Sequence, residues 1–170
     1  MRLYLFRHAD AIPRGTPGYA RDAQRPLTHK GRVQARQVAQ GLKRLKVAPG
    51  LILTSPYVRA AQTAEAAAAV FGARIAVKEL DALRAEANPQ ETSRALRVLE
   101  GQQALLLVGH EPHISAWLGE LVAGSSRLRC LFKKAGVACV EVERLPPPAG
   151  SGTLRWLMTP KQLALIGQAS

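Results

Sequence analysis

Ala104-Leu105-Leu106-Leu107-Val108 carries no polar side chain, and Gly109-His110-Glu111-Pro112 follows it at once. A continuous apolar run of this length fits a strand covered on both faces, as in the middle of a parallel sheet. The turn beyond it leads into a segment of helical character through Val122, with Pro112 placed as its first residue, where a missing N–H costs nothing. Strand, turn and helix in that order are the unit of an α/β fold.

The unit recurs on either side of this stretch. Residues 2–6 form a short apolar strand that runs into a polar, Gly/Pro-containing loop at 7–27. Thr28 is placed to cap a helix whose apolar face reads Val33, Val38, Leu42 and Leu45, ending near Pro49-Gly50. Leu51-Ile52-Leu53-Thr54 reads as a buried strand, and the Ala-rich stretch 59–71 as a helix closed by Gly72. A third strand is expected over 74–79 and a further helix over 89–99. Strands at 137–143 and 153–158 flank a Pro- and Gly-rich connection, and a short helix follows Pro160. The expected fold is therefore α/β, with three layers: a mostly parallel central sheet flanked by helices.

The 170 residues suit one domain, 1–170, able to bury roughly 70% of its unfolded surface. With 47% hydrophobic and 21% charged residues the chain is not of the disordered class. No apolar run reaches the roughly 20 residues of a membrane-spanning helix. The first eight residues lack a leader's cleavage pattern, and Cys130 and Cys139 make no disulfide framework, so a cytoplasmic protein is expected.

Twenty-four Lys and Arg against 12 Asp and Glu give a net charge of +12, which favours anionic partners. Nucleic acid is not the expected one. The basic residues are scattered along the chain, and at 5% aromatics stacking platforms are scarce.

In an open α/β sheet the functional groups gather at the carboxyl ends of the strands. That rule selects Arg7-His8, the segment from Ser55 to Arg59, and Gly109-His110. Singly each is an ordinary loop feature. Together, two guanidinium forks with up to ten N–H donors, beside imidazoles, make a site for a tetrahedral dianion such as phosphate.

Arg7-His8, Arg25-Pro26-Leu27-Thr28, Ser55-Pro56-Tyr57-Val58-Arg59-Ala60-Ala61-Gln62-Thr63-Ala64 and Val108-Gly109-His110-Glu111-Pro112-His113-Ile114 together resemble the histidine phosphatase superfamily, of phosphoglycerate mutase-like fold. The short chain, with no large cap insertion, and Leu157-Met158-Thr159-Pro160 are similar to its small bacterial protein phosphohistidine phosphatases. The resemblance implies that His8 is the nucleophile, with its other ring nitrogen held by a backbone carbonyl. It implies that Arg7 and Arg59 clamp the phosphate, and that His110 is a second pocket histidine, cationic while the phosphoryl group is bound. Asp22 is similar to an Asp that precedes the Arg-Pro-Leu-Thr of those phosphatases, and is a candidate proton donor or substrate-orienting group. Arg25 is a candidate phosphate ligand, partner of Asp22, or loop anchor.

Two departures bear on this resemblance. Ala9 stands where the commonest signature has Gly, which requires negative φ there. The Glu that serves many of the phosphomonoesterases as general acid is replaced by Leu83 or Ala82, with Glu79 a weaker substitute. A phosphate ester must expel an alkoxide and needs an acid, whereas phosphohistidine expels an imidazole that leaves neutral once protonated.

The expected substrate is thus a phosphohistidine-bearing protein, with a small phosphorylated molecule as the alternative, or a binding module without turnover. No cofactor or metal is expected: the two histidines of 110–113 are three apart with Pro112 between them, unlike a zinc helix. His29 and His113 are expected at the surface or behind the pocket, Ser55 as a pocket hydroxyl, and Lys133-Lys134 as a solvated basic turn or as a guide for an acidic protein partner over the pocket. A monomer is expected.

Overall fold

The computed structural model describes residues 1–72, 74–99 and 101–168. Six strands form one sheet: β1 (Arg2–Arg7), β2 (Leu51–Thr54), β3 (Ala76–Glu79), β4 (Ala104–Gly109), β5 (Val137–Glu141) and β6 (Thr153–Met158). Their order is β3-β2-β4-β1-β5-β6. The first four in that order run parallel, and β5 and β6 add antiparallel to β1 and to each other. The helices are α1 (His29–Arg44), α2 (Val58–Phe71), α3 (Pro89–Ala95), α4 (His113–Ala123) and α5 (Pro160–Gln168).

The unbroken apolar run of β4 is explained by burial on both sides. Leu106 and Val108 join Tyr4, Phe6 and Ile52 in a core under α1, α2 and α5, while Leu105 and Leu107 join Leu3, Leu5 and Trp117 in a second core under α3 and α4. Period-two alternation sends neighbouring residues of one strand to opposite layers, so a strand inside three layers needs an apolar residue at every position. This is the α/β architecture with a mostly parallel sheet that the sequence predicts.

Some boundaries and faces differ from the sequence reading. In α1 the buried face is Gly31, Ala35, Val38, Ala39, Gly41 and Leu42, while Val33 and Leu45 lie outward at 41% and 39% exposure. The small residues win that face because α5 and α2 approach closely there: a Cβ at Gly41 would stand 2.0 Å from the Leu163 carbonyl oxygen. Residues 96–99 form a 3₁₀ turn after α3 instead of extending it. Strand β3 starts at Ala76 and β5 stops at Glu141, each shorter than expected. Pro112 is the residue before α4, following a cis peptide, rather than its first turn. Thr28 caps α1 as predicted, its hydroxyl accepting from the Gly31 N–H at 2.9 Å.

The topology positions the site. β4 lies between β1 and β2, with Arg7 opposite Gly109 and Thr54 opposite Val108. Residues 8, 55 and 110 therefore leave three adjacent strand ends at one level.

Replacing Gly41 by Ala is expected to lower stability by about 1–3 kcal/mol despite the better helix propensity, because the added methyl meets backbone. Urea unfolding midpoints measure this, and an unchanged midpoint would contradict the close α1–α5 contact.

Candidate active site

A cavity of about 410 Å³ opens at these strand ends, lined by Arg7, His8, Arg25, Arg59, His110 and Glu111 among others. The backbone N–H of His8 donates to the Gly109 carbonyl at 2.9 Å, locking the residue to the end of β4. Its imidazole is held at both nitrogens. Nδ1 lies 2.7 Å from the Ala9 carbonyl oxygen, and Arg59 Nε donates to Nε2 at 3.2 Å. A carbonyl can only accept and a guanidinium can only donate, so both contacts demand the same tautomer, with the proton on Nδ1 and the lone pair on Nε2.

Electrostatics agree with a neutral ring. Burial pushes His8 down to about 3, the Ala9 bond opposes that shift, and the charges of Arg59, Arg7 and Lys134 reinforce it. His110 is pushed to about 2 by burial first, then by His8 and Arg59. The free pocket thus holds His110 uncharged, which places any cationic form of it in the anion-bound state. The two rings stand 5.0 Å apart, and His110 Nε2 is 2.8 Å from Ser55 Oγ.

The arginines come from different elements. Arg59 is the second residue of α2 and only 2% exposed, with its guanidinium carbon 5.0 Å above the Tyr57 ring, a cation–π contact. Arg7 ends β1, and its Nη1 donates to the Phe132 carbonyl at 2.5 Å. Burial lowers both guanidinium pKa values, a sign that their charges sit in poorly solvated ground. Arg7 Nε and His110 Nδ1 are buried with no hydrogen-bond partner among the described residues. Such orphaned atoms carry a desolvation cost that an anion gripped by Arg7 would offset.

Asp22 sits in a 3₁₀ turn, Asp22–Gln24, and is gripped by three arginines. Its carboxylate accepts from Arg14 Nε at 2.9 Å, Arg25 Nη2 at 2.7 Å and Arg59 Nη2 at 2.9 Å, and its carbonyl accepts from Arg59 Nη1 at 2.7 Å. Burial alone would raise its pKa, but the Arg25 bond and the charges of Arg59, Arg25 and Arg14 outweigh it and bring it to about 2. At neutral pH Asp22 is ionised. Arg25 also donates from Nε to Asp22 Oδ1 and from Nη1 to the Ile12 carbonyl, so it anchors the loop that lines the pocket.

Other candidates lie elsewhere. Glu79 is exposed at the end of β3, and His29 is exposed on the first turn of α1. His113 is not at the surface: it is 2% exposed, with Nε2 2.8 Å from Thr92 Oγ1, and burial pushes it to about 4. His110 and His113 thus point to different partners, and among the described residues no three His, Cys, Asp or Glu side chains converge as metal ligands. Among those residues, too, no helix is long and apolar enough to cross a membrane.

The sequence reading missed several contacts. Thr63 Oγ1 donates to the Arg59 carbonyl at 2.7 Å and accepts the Ala9 N–H at 3.1 Å, tying α2 to the loop after His8. Its position one helical turn beyond Arg59 was the available signal. Ala9 is absent from the described positive-φ residues, so its methyl fits. Tyr57 forms a wall 4.9 Å from His110 and donates its hydroxyl to Glu86 at 2.8 Å. The Phe132 carbonyl under Arg7 leaves no trace in the sequence, because any residue supplies one.

Residues 3–91 match the family model described as the histidine phosphatase superfamily (branch 1). An uncharacterised protein of Picosynechococcus sp. is 39% identical over 143 residues, covering 81% of this chain and 82% of that one. The phosphohistidine phosphatase SixA of Escherichia coli is 29% identical over 167 residues, 97% of this chain and 98% of its own. A solved structure of the protein histidine phosphatase SixA complexed with tungstate superposes with a TM-score of 0.83 at 30% identity, covering 96% of this chain and 99% of that one.

The three buried histidines make stability pH-dependent. Unfolded they titrate near 6.5, folded at about 3, 2 and 4 for His8, His110 and His113. Below pH 6.5 the unfolded chain binds more protons, so stability is full above that pH and falls as the pH drops towards 4. The melting temperature is expected to fall on acidification through this window, and less steeply in His113→Gln. Equal slopes in variant and parent would contradict the burial assignment.

Proposed function

The chain belongs to the histidine phosphatase superfamily, and from that premise we propose that it is a metal-independent phosphatase that removes phosphate from histidine on a protein. The observation that carries the proposal is the doubly held His8 ring: its proton is fixed on Nδ1, and its Nε2 lone pair accepts from Arg59 Nε, so it is released to phosphorus when Arg59 turns to the phosphoryl oxygens. The likeness to SixA, whose name states its substrate, supports the choice of phosphohistidine.

In this reading Arg7 and Arg59 hold the equatorial phosphoryl oxygens, and His110 joins them once the dianion's charge opposes the effect of burial on its ring. His8 Nε2 gives its lone pair to phosphorus as the substrate's N–P bond breaks, and the leaving imidazole departs neutral with the bonding pair. Water then attacks the phosphorylated His8, whose Nε2 recovers its pair, and the product leaves as dihydrogen phosphate. The bond broken and the bond made in the first step are of one kind, nitrogen to phosphorus. No alkoxide forms, so the absence of the family's Glu at Ala82 or Leu83 is tolerated.

Asp22, ionised under three guanidinium groups, acts as an orienting group for Arg59 and Arg25 rather than as an acid. Arg25 acts through Asp22 and the loop.

Incubation with a phosphorylated histidine-containing protein is expected to leave an acid-labile, alkali-stable phosphoenzyme that His8→Ala lacks. Turnover of a small phosphate ester above ~10⁴ M⁻¹s⁻¹ with phosphohistidine inert would overturn the substrate assignment, and absence of both adduct and turnover would leave a phosphate-binding module. Arg59→Ala is expected to lower kcat/KM by about 10²–10³, the scale of losing a donor to transition-state charge, and Arg25→Ala by less than about tenfold. Equal losses would contradict the separation of the two arginines.

A further inference from the structure

Beside the phosphate pocket lies a second groove of about 690 Å³, which shares Arg7, Asp10 and Lys134 with it. Its remaining walls include Lys30 on α1, Leu131 and Lys133 ahead of β5, and Lys161 on the first turn of α5. Five cationic side chains line it against one carboxylate. That carboxylate, Asp10, is already paired with Lys134 at 2.8 Å, and the charge of Lys30 also acts on it. Lys133 and Lys161 are exposed and have no ion-pair partner among the described residues. The other flank of the pocket is different: there Arg14, Arg25 and Arg59 all converge on the Asp22 carboxylate, and Glu86 accepts from Tyr57. The excess of positive charge is thus larger on one side of the catalytic opening, and Lys133 and Lys161 there are unpaired among the described residues.

Leu131 rises among these lysines at 72% exposure, while the neighbouring Phe132 is 2% exposed. An apolar residue within a cationic field suits a folded protein surface. A single-stranded nucleic acid would want exposed aromatic faces instead, and the buried Phe132 ring gives none.

The groove is also rigidly joined to the nucleophile. The Ala135 N–H donates to the carbonyl oxygens of Arg7 and His8 at 3.1 Å each, and the Phe132 carbonyl takes Arg7 Nη1. Whatever rests on residues 131–134 is held at a fixed offset from His8.

We propose that this groove docks an acidic face of the phosphohistidine-bearing protein, with its carboxylates on Lys30, Lys133 and Lys161 and an apolar patch on Leu131. The proposal rests on the reading of the preceding section and adds to it the partner's charge and orientation. Long-range attraction of this kind speeds encounter and is weakened by salt.

The test compares the Lys133→Glu/Lys161→Glu double variant with the parent on two substrates: an acidic histidine-containing phosphotransfer domain phosphorylated with phosphoramidate, and free phosphohistidine. The expected result is a fall of about tenfold or more in kcat/KM on the protein, with a flatter salt dependence, and less than about twofold change on free phosphohistidine. Leu131→Asp should likewise lose activity on the protein alone. Unchanged protein turnover in both variants, or equal losses on both substrates, overturns the docking surface and leaves the phosphatase reading standing. Failure of the parent to turn over either phosphohistidine substrate overturns both. Competition by single-stranded RNA that the double variant no longer feels would assign the groove to nucleic acid and overturn the proposal as well.

Discussion

One imidazole held from two sides governs this structure. The Ala9 carbonyl takes the Nδ1 proton of His8, and Arg59 Nε donates to Nε2. Neither partner can exchange its role, so the tautomer is set by the chemistry of the neighbours rather than by pH. Those neighbours need the rest of the fold. Ala9 is steadied by Thr63, Thr63 by the carbonyl of Arg59, and Arg59 by the start of α2 where β2 releases the chain. A closed circuit of this kind holds only because β1, β4 and β2 end side by side, and they do so because apolar residues at every position bury both faces of the sheet.

The pocket concentrates cost as well as chemistry. Two guanidinium groups are withdrawn from water, and two histidines are kept uncharged beside them. Buried cations normally need partners. Arg59 has Asp22, whereas among the described residues Arg7 bonds one backbone oxygen, feels the charge of Glu111, and retains an unpartnered Nε. The two guanidinium groups thus differ: one already shares a carboxylate with two other arginines, while the other keeps an N–H without a partner among the described residues.

Much of this arrangement was legible in the sequence. The succession of strands and helices along the chain follows from apolar runs bounded by turns, and the gathering of Arg7, His8, Ser55, Arg59 and His110 follows from the rule that loops at strand carboxyl ends meet. The burial of α1 was misread at Val33 and Leu45, because the face that packs is chosen by how closely α5 approaches Gly41, a tertiary fact that outweighs side-chain hydrophobicity. Of the two places open to His113, the surface or behind the pocket, the second holds, because a polar ring can be buried once it is paired with Thr92, 21 residues away. Asp22 was recognised as a residue of interest, but its seat on Arg59 depends on the path of the loop at 13–24, which no periodicity encodes. Backbone groups such as the Phe132 carbonyl are invisible to any reading of residue types.

The occupancy of Arg59 by Asp22 sets the terms on which anything leaves the cavity. An oxyanion reaching Arg59 enters by exchange with a carboxylate tethered to the same chain, and a tethered competitor acts at an effective concentration of about millimolar or more. In the proposed reaction, spent phosphate would contend with a group that never diffuses away. A cleft rich in positive charge tends to hoard an anion, and under the proposed reaction the internal rival would keep it from becoming a sink.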